Sequence, residues 1–231
     1  MTIQKISLGT AQWGSKYGIS NFTGKTNSSE VYKMLSYSTS LGINHLDTAL
    51  LYGDAELILG NYENLQNFEI TTKTKKVSKS KVTKSDSIEL IQAFKGSLDR
   101  LKVSSIHGLL IHNVSDILVE GGEFLIEALN EIKSQNKVRN IGVSIYDSNN
   151  LLFICDRLKP DIVQLPLNVL DQRFIKDGSL DFLKKKGIEI QVRSIFLQGL
   201  LFYNDSKFPI YFKRWEKIFK KWQKSCCDQK F

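Results

Sequence analysis

Apolar and polar positions along this chain follow two alternating periods. Short, mostly apolar runs of strand length cover residues 5–10, 44–49, 69–73, 106–112, 140–145, 161–167 and 188–195. Between them lie stretches whose apolar residues recur every three or four positions. Over residues 85–101, Ile88, Ile91, Phe94, Leu98 and Leu101 mark one face of a helix, with Ser85 as its expected cap. Ser28 or Ser29 is expected to cap a helix that ends near Gly42. Further helices are predicted over 54–60 (capped by Asp54), 123–135, 147–158, 179–186 and 209–224. Lys159-Pro160 stops one of these and Gly187 closes another.

Strands that alternate with helices form parallel sheets with helical crossovers. Parallel strands are covered on both faces, which explains a run such as Gly108-Leu109-Leu110-Ile111. Two layouts compete: an open doubly wound sheet and a (β/α) barrel. A dinucleotide-binding doubly wound sheet places G-x-G-x-x-G after its first strand. Here that strand runs into Leu8-Gly9-Thr10-Ala11-Gln12-Trp13-Gly14. The expected fold is therefore α/β, a (β/α)8 TIM-barrel type. No linker rich in Pro, Gly or Ser divides the chain, so residues 1–231 are expected to form one domain.

Composition bounds the setting. The chain has 231 residues, 42% hydrophobic and 24% charged, with a net charge of +8. No run resembles a membrane span or a signal peptide, so a cytoplasmic protein is expected. Six of the twelve residues from Lys73 to Lys84 are lysine, and a second basic cluster spans Lys213 to Lys224. Such runs are more often solvated faces than binding sites, and the first lacks interleaved aromatics, so no nucleic-acid partner is expected. Cys155, Cys226 and Cys227 show no zinc spacing, and reduced thiols are the default.

In a barrel, chemistry sits at the C-terminal ends of the strands. The second strand ends at Asp47, with Tyr52 five residues on. The third ends at Lys73, the fourth at His112, the fifth at Ser144, and the sixth carries Gln164. Taken singly, each has a structural reading: a cap, a packed ring, one lysine of a basic run, a satisfied histidine. Together they form a proton donor for a carbonyl that receives a hydride. A nearby ammonium is expected to lower the pKa of Tyr52, a carboxylate holds the lysine, and a histidine donates to the carbonyl oxygen. The hydride needs a cofactor, since no side chain carries one. His45 and His107, at strand starts, and Trp215 and Trp222 receive structural readings.

Asp47-Thr48-Ala49 followed by Tyr52-Gly53, with Lys73 and His112 at successive strand ends, resembles the aldo-keto reductase family. The likeness runs from Leu8-Gly9-Thr10-Ala11 to Leu197-Gln198-Gly199-Leu200-Leu201. It implies Asp47, Tyr52, Lys73 and His112 as catalytic residues and NADP(H) or NAD(H) as cofactor. Ser144 and Gln164 would contact the nicotinamide carboxamide. Arg193 would replace a tyrosine that stacks on the nicotinamide in many members, and Ile145 stands where the family has an asparagine. Ser194, Phe196 and Gly199 fall among the cofactor-binding positions. Trp13, Tyr17 and Asn113 lie in strand-end loops that would meet the substrate, a small carbonyl compound such as an aldehyde, ketone or sugar. The opening motif most resembles bacterial members tied to sugar or surface-polysaccharide metabolism. No metal and no membrane partner are expected.

Seven βα units can be counted and the eighth is missing. The expectation is an incomplete barrel whose unpaired first and seventh strands invite self-association. A second reading therefore stands beside the reductase: a truncated, catalytically defective remnant or a non-catalytic binding protein.

Overall fold

The computed structural model describes residues 5–202 and 210–228. Seven strands appear in it: β1 (Ser7–Gly9), β2 (His45–Asp47), β3 (Glu69–Lys73), β4 (Ile106–Ile111), β5 (Val138–Ser144), β6 (Ile162–Pro166) and β7 (Glu189–Arg193). All neighbouring pairs are parallel, and the order in the sheet is the order in the chain. The helices are α1 (Ala11–Gly14), α2 (Ser28–Ser40), α3 (Ala55–Gly60), α4 (Lys84–Leu101), α5 (Glu123–Ser134), α6 (Leu151–Leu158), α7 (Arg173–Lys176), α8 (Ser179–Lys185) and α9 (Glu216–Asp228).

Sequential order excludes the doubly wound alternative, whose strand order reverses at a switch point. Curvature follows from one hydrogen bond. Gln191 of β7 donates to the Thr71 hydroxyl of β3 at 3.3 Å. Four strand spacings separate these strands, about 19 Å if the sheet were flat. The sheet must curl on itself for the two to meet. Seven βα units thus form a curled, barrel-type sheet with its inner face enclosed. Both faces are covered in its middle: every residue of β6, and all of β4 except His107, is buried.

Several element boundaries differ from the sequence expectation, each for a local reason. Asn27, not Ser28 or Ser29, caps α2, and its Oδ1 accepts the Ser29 N–H at 2.9 Å. Thr83, not Ser85, caps α4. There the Asp86 carboxylate accepts both the Thr83 N–H at 2.8 Å and the Thr83 hydroxyl at 2.7 Å. Asp54 precedes α3 without a capping side-chain bond. The helix expected from residue 147 begins at Leu151, because Asp147 folds back to accept the Asn149 N–H. The basic C-terminal stretch is a 3-10 turn over Ile210–Trp215 followed by α9. Pro209 lies outside the described residues. Trp215 and Trp222 pack against Leu200, Leu201 and Phe219.

The first lysine run is largely paired within the molecule. Lys73 meets Asp47, Lys75 meets Glu89, Lys79 meets Asp86 and Lys81 meets Glu120. Among the described residues, no helix is long and apolar enough to cross a membrane, and no group of three or more His, Cys, Asp or Glu could hold a metal. Cys155 and Cys226 are free thiols.

Candidate active site

Asp47, Lys73, Ser144, Gln164 and Arg193 stand at or near the C-terminal ends of their strands and face one cavity of about 430 Å3. Tyr52, His112 and Tyr17 reach the same space from loops. This volume falls in the usual range for small-ligand sites. A larger groove of about 770 Å3 lies at the opposite end, lined by Glu69, His107 and Arg139, and contains none of these candidates.

The backbone places Tyr52 by close approach. A Cβ on Gly14 would lie 1.6 Å from the Tyr52 carbonyl oxygen, and one on Gly53 would lie 2.3 Å from the Gly14 carbonyl oxygen. Gly53 also adopts φ +56°, a region that favours glycine. The Asp54 N–H closes the contact on the Gly14 carbonyl at 3.3 Å. The loops after β1 and β2 therefore touch backbone to backbone, and Tyr52 is held between them.

At the centre is an ion pair. Lys73 is 2% exposed, and its Nζ donates to Asp47 Oδ1 at 2.6 Å and to the Thr48 carbonyl at 2.9 Å. The same carboxylate oxygen accepts the Gln164 amide at 2.8 Å. Gln164 Oε1 in turn accepts the Ser144 hydroxyl at 3.2 Å. Four strands, β2, β3, β5 and β6, are joined in one chain of hydrogen bonds.

Tyr52 and His112 face one another edge to face, with ring centroids 6.2 Å apart. Burial pushes the Tyr52 phenol well above its ordinary pKa, and the Asp47 carboxylate adds to the effect against the opposing charge of Arg193. This corrects the expectation that Lys73 would acidify Tyr52. The ammonium is engaged by Asp47 and lies over the ring, 5.1 Å from its centroid. Its field is offset by its partner, and desolvation prevails. Burial, followed by the Lys73 and Lys76 ammonium groups, pushes His112 down to about 4. Near neutral pH the site thus presents a protonated phenol and a neutral imidazole. Among the described residues, buried His112 Nδ1 and Thr10 Oγ1 have no hydrogen-bond partner.

The remaining candidates divide. Ser194, Phe196 and Gly199 line the cavity, as does Tyr17. Gly199 (φ +86°) permits a close crossing, since a Cβ there would lie 1.9 Å from Ser20 Oγ. Ser20 donates its hydroxyl to the Gln198 carbonyl at 3.0 Å, so the loops after β1 and β7 meet above the sheet. Trp13, expected at the substrate, is 5% exposed and belongs to the hydrophobic core. Its large apolar ring is better satisfied there. Asn113 also stays off the cavity wall, because its amide donates to Asp116 Oδ1 at 2.7 Å. His45 and His107 lie at the far end of the strands, with His107 bonded to Glu189.

Tyr146 lines the cavity and was missed. Its signal was available: it stands two residues after Ser144, the spacing of one strand face. The Arg193 guanidinium carbon lies 4.0 Å from the Tyr146 ring centroid, and Nη2 donates to the Ile145 carbonyl at 3.0 Å. Thr10, Gln12 and Phe202 complete part of the wall.

The sequence profile described as "Aldo/keto reductase family" matches residues 5–227. The chain belongs to the aldo/keto reductase family. Its members are NAD(P)H-dependent carbonyl reductases. Among relatives of this chain is the "NADH-specific methylglyoxal reductase" of Escherichia coli (strain K12), 30% identical over 179 residues, covering 69% of this chain and 54% of that protein. The chain therefore spans about half the length of that relative. The holo form of an aldo-keto reductase from Bacillus halodurans matches with a TM-score of 0.67 at 23% identity, covering 85% of this chain and 64% of that one. A glycerol dehydrogenase from Gluconobacter oxydans matches with a TM-score of 0.68 at 21% identity, covering 91% and 66%. These structural likenesses establish the barrel-type fold of this chain.

Proposed function

We propose that this chain reduces a small aldehyde, ketone or sugar carbonyl at the cavity bounded by Asp47, Tyr52, Lys73 and His112. The observation that carries the reading is the Lys73–Asp47 ion pair, with its ammonium over the Tyr52 ring and Tyr52 edge to face with His112. A nicotinamide dinucleotide, NADH or NADPH, supplies the hydride when bound.

The donor set suits a nicotinamide end. A primary carboxamide offers one acceptor and two donor hydrogens. Ser144 Oγ and the Gln164 amide present both kinds of partner at the cavity wall. Ser194, Phe196, Gly199 and Arg193 would bound the rest of that region. Tyr17 offers an aromatic wall to the substrate.

Tyr52 donates the proton to the nascent alkoxide. Its high pKa keeps that proton in place throughout the physiological range. His112, neutral, donates a hydrogen bond to the carbonyl oxygen and so orients it toward Tyr52. Lys73 packs over the Tyr52 ring and fixes its place, Asp47 holds Lys73 in position, and the Arg193 charge is the one that favours the phenolate left behind. Gln164 fixes the carboxylate in turn.

A second reading has its own observation. Among the described residues β1 and β7 each pair with one strand only, so the chain could bind ligand without turning it over, or associate through these edges. One experiment separates the readings. NADH and NADPH oxidation is followed with methylglyoxal, benzaldehydes and keto-sugars, and cofactor binding is followed in parallel by tryptophan fluorescence. Turnover that is lost in Tyr52→Phe supports the reductase. Binding without turnover supports the second reading.

A further inference from the structure

Arg193 is a charge without an opposite neighbour. Among the cavity's ionic side chains, Asp47 and Lys73 neutralise each other. Among the described residues, Arg193 makes no ion pair. Its side chain is held from two directions: Nη2 bonds the Ile145 carbonyl at 3.0 Å, and the guanidinium lies on the Tyr146 ring. Nη1 has only a contact of 3.5 Å to Ser194 Oγ. A guanidinium has five N–H donors in a fixed fork, and these contacts leave most of the fork unused. The group is thus oriented and partly desolvated, yet lacks the carboxylate or phosphate that its geometry matches.

The surroundings restrict what could take that place. Arg193 lines the same cavity as Tyr52, Tyr17 and His112, and its charge opposes the upward shift of both tyrosines. Partly exposed Tyr17, Tyr146, Phe196 and Phe202 line the wall together with uncharged polar residues such as Gln12, Ser194 and Gln198, so among the described lining residues Asp47, held by Lys73, is the one carboxylate.

We propose that Arg193 is the specificity determinant of this site and selects carbonyl compounds that carry a carboxylate or phosphate. The inference rests on the reductase reading above. The same anionic chemistry has a second source, the phosphates of a dinucleotide. The substrate is favoured because Arg193 lines the same cavity as Tyr52 and His112, where the reacting carbonyl would lie. Arg193 then serves two geometries at once: its planar face toward a ring and its N–H edge toward the anion.

The test uses two substrates that differ in charge and little else, 4-formylbenzoate and its methyl ester. The wild-type chain is expected to favour the carboxylate in kcat/KM. In Arg193→Met the ratio of carboxylate to ester falls by about tenfold or more, the scale of one lost charge-assisted hydrogen bond. Arg193→Lys restores part of the ratio, because it restores charge without the fork. An unchanged ratio in Arg193→Met overturns the proposal. So does a loss of NADH and NADPH affinity with the ratio preserved, which assigns the guanidinium to the cofactor. Absence of turnover of any carbonyl by the wild type defeats the reductase reading separately. In that event calorimetric binding of the two benzaldehydes to wild type and Arg193→Met decides the anion preference: a preference lost in the variant upholds it, and no preference overturns it.

Discussion

Asp47 Oδ1 accepts from both Lys73 Nζ, at 2.6 Å, and Gln164 Nε2, at 2.8 Å. One oxygen therefore ties β2 to β3 beside it and to β6 across the interior. Asp47→Asn leaves the Lys73 ammonium buried without its countercharge, which costs about 3–5 kcal/mol when such a pair is fully desolvated. Asp47 is about one-fifth exposed, so the lower end is expected. Lys73→Met with Asp47→Asn removes both charges. Chemical denaturation should show the double variant to be more stable than the sum of the single losses predicts. Strict additivity would mean that the pair is not coupled.

Tyr52 and His112 titrate outside the neutral range, in opposite directions, for one shared reason: burial disfavours the charged form of each. The pH profile of kcat/KM for carbonyl reduction should be flat through neutrality. An acid limb is expected near 4, as His112 gains a proton and loses its neutral form. No alkaline limb from Tyr52 should appear below its ordinary value of 10.0. Tyr52→Phe should lower kcat by about 10²- to 10⁴-fold, the span of general acid catalysis. An alkaline limb near pH 8 that vanished in Tyr52→Phe would show instead that Lys73 does acidify the phenol.

Glu56 on α3 is 2% exposed and accepts both Nε (3.0 Å) and Nη2 (2.8 Å) of Arg100, and the Thr72 hydroxyl at 2.7 Å. The fork links α3 to α4 and to β3, directly behind Lys73. Arg100→Met should destabilise the chain by about 3 kcal/mol, because the carboxylate stays buried after its partner has gone. Glu56→Gln should cost less, since it keeps an acceptor for Thr72. Thermal melts of the two variants give the comparison.

What the sequence revealed, and what it hid, divide along physical lines. Strand positions were legible because a covered parallel strand is an apolar run; β3 over Glu69–Lys73 matches its expected bounds. The cluster of Asp47, Tyr52, Lys73 and His112 was legible because strand ends in a barrel converge. Caps were displaced by one or two residues where two candidates adjoined. At α4 the spacing of Thr83 and Asp86 held the signal, but Ser85 lay closer to the apolar stripe. The place of Trp13 in the loop sequence says nothing of which way its ring turns, and the fold turns it into the core. The direction of the Tyr52 shift needed the three-dimensional balance of ammonium, carboxylate and burial, and no spacing supplies that.

His107 of β4 and Glu189 of β7 meet at 3.2 Å at the N-terminal end of the sheet, three strands apart. The groups around the imidazole are Glu69 of β3, with its Oε2 3.6 Å from His107 Nδ1, and His45 of β2 and Arg139 of β5, both paired with Glu69. The hydrogen bond to Glu189 raises the His107 pKa above 6.5, against burial. It also lowers that of Glu189 below 4.5. A raised histidine contributes stability that is complete below its unfolded value and lost as pH rises through the folded one. The depressed Glu189 contributes stability present above 4.5 and lost as pH falls. The clasp on edge strand β7 is therefore strongest between about 4.5 and 6.5. His112 works the other way: its stability is present above 6.5 and lost as pH falls toward 4. Melting temperature measured against pH should show two separable arms. His107→Gln should flatten the loss above pH 6.5, and His112→Gln should flatten the loss below it. If His107→Gln left the alkaline arm unchanged, the pair with Glu189 would not be what holds β7 across the interior.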